Sequence, residues 1–196
     1  QNLPSALANT AAALWLDQVI DKGFLTDISL TTRFNMSGDL DRPNTKFSAN
    51  LSNANLNLDS KWPSISDLNA KVNFSNDYLR LTSNKAQIDG IDLSYLSITS
   101  KDFNMEGSEL SVNTRFNSQS KKVSEFIKQS NVPSRFKNYL NEFELEGRLW
   151  GNLNLVVPLK NDSNQNPKIT FDMYASDNKL SLLDGSLSIN EFNSQI

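Results

Sequence analysis

Between Phe24 and Phe116 apolar residues fall on every second position, in runs broken by polar turns. The runs are Ile28, Leu30 and Phe34; Phe47, Ala49 and Leu51; Ala54, Leu56 and Leu58; Leu68, Ala70, Val72 and Phe74; Leu79 and Leu81; Ile91, Leu93 and Tyr95; and Leu110, Val112, Thr114 and Phe116. Successive side chains on a strand point to opposite faces, so each run predicts a strand with one greasy face and one Asn/Ser/Asp/Lys face. The connectors at 41–44 (DRPN), 60–64 (SKWPS), 75–78 (SNDY) and Asp89-Gly90 carry turn chemistry, and links this short join consecutive antiparallel strands as a meander.

The period changes to helical spacing twice. Residues 5–22 are Ala-rich, with Leu7, Ala11, Leu14 and Trp15 three or four apart and Gly23 as a stop. Residues 120–140 place Val123, Phe126 and Ile127 on one stripe, break at Asn131 before Pro133, and resume with Phe136 and Leu140. Two short helices are therefore predicted there rather than one. Strands return with Leu149; Leu153, Leu155, Val157 and Leu159; Ile169, Phe171, Met173 and Ala175; Leu180 and Leu182; and Leu187 and Ile189, around a polar loop at 161–167. Helix then strands, twice over, suggests two repeats, 1–119 and 120–196, with the sheet continuous between them. At an offset of 124 residues Gly23 falls on Gly147, Leu25 on Leu149, Phe47 on Phe171, Ser52 on Ser176, Leu56 on Leu180, Leu58 on Leu182 and Ile65 on Ile189.

Composition narrows the chemistry. The 196 residues contain no histidine and no cysteine, which removes the usual general base, the thiol nucleophile and nearly every zinc or haem ligand set. A net charge of −3 offers no electrostatic footprint for nucleic acid. Leu, Asn and Ser occur 26 times each against seven Gly, which suits a sheet greasy on one side and polar on the other. Two Ser-x-x-Lys spacings, Ser118 to Lys121 and Ser134 to Lys137, lack the accompanying motifs of penicillin-recognising enzymes. Asp39 and Asp41 lack the rest of a calcium loop, and Glu142, Glu144 and Glu146 suit a solvated sheet face better than an acid/base pair. Lys121, Lys122, Lys128, Arg135 and Lys137 make the second helical segment basic, which a solvated helix face explains more simply than a lipid surface. No enzyme, metal or cofactor is expected.

What remains is the apolar face. Its two dozen large side chains exceed what the short helical stripes cover. Either a second layer seals it into a dry core, which the pattern alone slightly favours, or the sheet curves into a trough for acyl chains.

Several segments resemble the YhdP branch of the AsmA-like family: Trp15-Leu16-Asp17 to Gly23; Phe47 to Leu58; Lys61-Trp62-Pro63-Ser64-Ile65-Ser66-Asp67-Leu68-Asn69-Ala70; Asn73-Phe74-Ser75-Asn76-Asp77-Tyr78-Leu79-Arg80-Leu81; and the run from Gly147 through Gly151 to Val157-Pro158-Leu159. The resemblance implies part of a long Gram-negative envelope protein, periplasmic and anchored in the inner membrane, with possible protein partners in the envelope. Its fold would be mainly β with a few short helices, a strongly curved antiparallel sheet forming an open groove or half-barrel. That groove would carry phospholipid acyl chains between inner and outer membrane. The residues expected to line it are Leu51, Leu56, Leu58, Val72, Phe74, Leu79, Leu81, Leu153, Leu155, Val157, Phe171 and Met173. The rival expectations are a structural or protein-binding β module with a closed dry core and no lipid, and a hydrolase working with carboxylates alone.

Overall fold

The computed structural model describes residues 16–33, 44–58, 63–76, 78–101, 108–130, 134–139, 141–159, 168–183 and 186–195. Nine strands run in sequence: β1 (Ile20–Arg33), β2 (Asn44–Leu56), β3 (Ile65–Ser75), β4 (Tyr78–Ile88), β5 (Ile91–Ser100), β6 (Glu109–Gln119), β7 (Phe143–Pro158), β8 (Lys168–Leu182) and β9 (Ser188–Gln195). They form one antiparallel sheet in the order β1 to β9, so each strand pairs with its neighbours in sequence, and the sheet does not close into a barrel. Two helices, α1 (Ser120–Gln129) and α2 (Ser134–Tyr139), interrupt the meander between β6 and β7, two short segments as expected; Asn131 and Pro133 themselves lie outside the described residues. The β4–β5 hairpin closes on Asp89 and Gly90, both at positive φ (48° and 71°), the backbone that a two-residue type I′ turn requires.

Register converts strand alternation into rows. Directly paired residues of an antiparallel sheet share a face. One row passes Phe47, Phe74, Leu79, Ser100, Leu110 and Val157; the next passes Ala49, Val72, Leu81, Ile98, Val112, Leu155 and Ile169; a third passes Leu25, Leu51, Ala70, Ser83, Leu96, Thr114, Leu153 and Phe171. All are buried or half-buried. Among the described residues no second sheet lies over this face, yet Leu81 and Ile98 are 0% exposed. Burial this deep under one described layer fits a sheet that wraps around its own face.

Bulges supply the bend. Register slips interrupt β1–β2, β2–β3, β3–β4, β5–β6, β7–β8 and β8–β9. An extra residue on one strand kinks it and increases its twist. Gly23, Asp27, Asn53, Asp67, Gly147, Asp177 and Glu191 sit within these strands at positive φ, where Gly, Asn and Asp are the side chains that fit most easily. Gly23 is thus not a helix stop. The helix expected over 5–22 ends at Val19 within the described residues, and β1 already begins at Ile20. The reason is packing: a Cβ on Gly23 would lie 2.9 Å from that of Ala54. Residues 5–15 lie outside the described residues.

The bulges keep the 124-residue spacing. Gly23 and Gly147, Asn53 and Asp177, and Asp67 and Glu191 share the positive-φ backbone in pairs. Leu25 pairs with Leu51 and Leu149 with Ala175, while Leu56 pairs with Ile65 and Leu180 with Ile189. The amide of Asn53 donates to Asn69 Oδ1 at 3.1 Å, and that of Asp177 donates to Asn193 Oδ1 at 2.9 Å.

Candidate apolar groove

Of the residues expected to line a groove, Leu51, Leu56, Val72, Phe74, Leu79, Leu81, Leu153, Leu155 and Val157 are buried on the common face. Leu58, Phe171 and Met173 are half-buried and packed against the same cluster. The structure adds Ile65, Leu68, Leu96, Ile98, Leu110, Val112, Phe116 and Leu149 to that face. Leu96 and Ile98 are absent from the alternation because it slips between Leu93 and Tyr95; beyond the slip Tyr95 turns outward beneath the Arg115 guanidinium, 5.7 Å from its ring centroid. The adjacent Tyr95-Leu96 pair is the sequence trace of that slip.

Three polar residues that reach this face hydrogen-bond to the sheet itself. Ser83 Oγ lies 2.6 Å from Asn69 O and 2.7 Å from Lys85 O and accepts from the Lys85 amide. Thr114 Oγ1 donates to Tyr95 O at 2.5 Å and Ser100 Oγ to Glu109 O at 2.9 Å.

Helix α1 lies over part of the apolar rows. Val123, Phe126 and Ile127, spaced i, i+3 and i+4, are buried, while Lys121, Lys122, Glu125 and Lys128 face solvent. Polar contacts tie it on both sides. Ser120 Oγ donates to Asn178 Oδ1 of β8 at 2.8 Å, and Lys122 Nζ donates to Gly90 O of the β4–β5 turn at 3.1 Å. Asn178, only 1% exposed, spends its own amide hydrogens on Arg148 O and Ser176 O, both at 2.9 Å. Beneath the helix, Ile88, Ile91, Leu93, Thr114, Phe116, Leu153 and Phe171 line with Val123 and Phe126 a half-open pocket of about 20 Å³, far too small for an acyl chain. An open cleft of about 560 Å³ flanks the helix, with Lys121, Lys128 and Arg148 facing Glu125, Glu144 and Glu146.

The remaining chemistry disperses. Ser118 is buried at the end of β6 while Lys121 is exposed on α1, so that pair shares no helix face. Glu144 and Glu146 are exposed on β7, Glu146 within 3.9 Å of Lys179 Nζ. No group of three His, Cys, Asp or Glu among the described residues could hold a metal. On the outer face Trp150 and Tyr174 stack with ring centroids 4.3 Å apart.

One antiparallel sheet that wraps its own apolar rows, open at both edges and partly lidded by an amphipathic helix, defines a β-groove protein. The chain belongs to the YhdP protein family, whose model matches residues 2–196. No curated protein matches it, and no solved structure does. Membership fits, in general terms, a lipid-transport protein of the cell envelope. No helix among the described residues is long and apolar enough to cross a membrane.

Proposed function

We propose that this chain is a non-enzymatic segment of a lipid conduit, carrying phospholipid acyl chains along its apolar rows between inner and outer membrane. The observation that supports this is the direction of those rows. They run across the strands, the longest from Leu25 of β1 to Phe171 of β8, and beyond these two residues no described strand is paired. Each methylene taken from water into that lining gains roughly 0.8 kcal/mol, so the lining and the chain are matched without any ionising group. The 124-residue correspondence between β1–β3 and β7–β9 fits a path built from two copies of one unit.

The near-complete burial of Leu81 and Ile98 favours a second reading, a dry structural module. Native mass spectrometry and solvent extraction of the chain purified from a Gram-negative host separate the two. Phospholipid released at near-stoichiometric amounts is expected. A lipid-free chain that also fails to acquire lipid from vesicles overturns the conduit.

A further inference from the structure

Resting on that reading, we propose that the seat of an acyl chain lies beneath α1, and that the helix is a displaceable cover whose Val123 and Phe126 occupy the seat until lipid takes their place. The wall is apolar except for Thr114, whose hydroxyl is spent on Tyr95 O: Ile88 and Ile91 flank the β4–β5 turn, Leu93 and Phe116 lie beside it, and Leu153 and Phe171 come from β7 and β8. The residual space of about 20 Å³ admits no acyl chain, so the seat is available only when the helix leaves.

Four features of α1 make it a weak element held by docking. Its ten residues are below the length at which a helix persists alone in water. Its N-cap, Gln119, makes no side-chain capping bond, and the first turn contains no acid. That turn instead carries Lys121 and Lys122 against the positive end of the helix dipole. Its buried side-chain tie to the sheet is the Ser120–Asn178 hydrogen bond, and the Lys122–Gly90 tie is exposed. Asn178 keeps its bonds to Arg148 O and Ser176 O when the helix departs, so lifting α1 leaves the bulge beneath it paired. The lysine-bearing outer face would then meet phosphate groups of the arriving lipid.

The absence of native cysteine permits a clean test. In the full chain, Ser120→Cys with Asn178→Cys locks the helix on oxidation and frees it on reduction. Benzoylphenylalanine at Leu93, under the helix, and at Leu79, on the far row, reports contact with phosphatidylethanolamine–phosphatidylglycerol vesicles. Labelling at Leu93 that falls at least about tenfold on oxidation and returns on reduction is expected, with Leu79 labelled in both forms. Labelling at Leu93 regardless of oxidation, or at Leu79 alone in both forms, overturns the cover and leaves the conduit standing. Labelling at neither position overturns both. Should the double variant fail to fold, hydrogen exchange of the unaltered chain decides. Vesicles must accelerate exchange of the 120–130 amides selectively, and an unchanged rate overturns the cover.

Discussion

Asn178 ties three parts of the structure together. Its side chain joins α1, the β7 backbone and its own bulge, and it presses so closely on Gly147 (φ +123°) that a Cβ there would lie 3.0 Å from Asn178 Cα and closer still to the side-chain amide. Gly147→Ala therefore meets both backbone strain and a clash, and is expected to lower unfolding free energy by about 2–4 kcal/mol in urea titration. Asn178→Ala removes the donor to two part-buried carbonyls and the acceptor for Ser120 Oγ, and should cost about 1–2 kcal/mol. Neither residue announces itself in a chain with 26 asparagines. The trace available is the 124-residue alignment, which sets polar Asn178 opposite apolar Ala54, where Gly23 packs instead.

Among elements, the strands were readable because their two faces differ so sharply, and the bulges were not because they shift the phase of that difference. Phe47, Ala49 and Leu51 and then Ala54, Leu56 and Leu58 look like separate runs. They lie on one face because Asn53, at φ +51°, adds the residue that restores the phase, with β2 itself ending at Leu56. The same holds at Asp177 in β8. At such a position Asn53→Gly should be neutral within about 0.5 kcal/mol, whereas Asn53→Val should cost about 1–2 kcal/mol through left-handed backbone strain. Thermal unfolding followed by circular dichroism distinguishes them. The split of the second helical segment was legible from Pro133. The early end of the first was not, since glycine as a helix stop and glycine as a bulge look alike in sequence.

For the whole molecule, pattern alone could not choose between a sealed core and a trough, because that depends on how neighbouring rows align, which only register reveals. The outer edges of β1 and β9 are unpaired among the described residues, with Phe24 and Ile28 exposed on one and Ile189 on the other. Open apolar edges invite pairing with further strands. Sedimentation of the isolated chain should show association that rises with concentration. Ile28→Lys with Ile189→Lys should weaken it about tenfold, and an equally associated variant would refute the edges as the contact.

Because every strand is hydrogen-bonded to the one before it, the molecule grows in one direction by a fixed step. Eight steps at roughly 4.8 Å give about 38 Å of span, well beyond the length of a fatty tail. Distance is then counted out in strands, as a ruler is in marks, and a wider gap calls for more of them without any new chemistry.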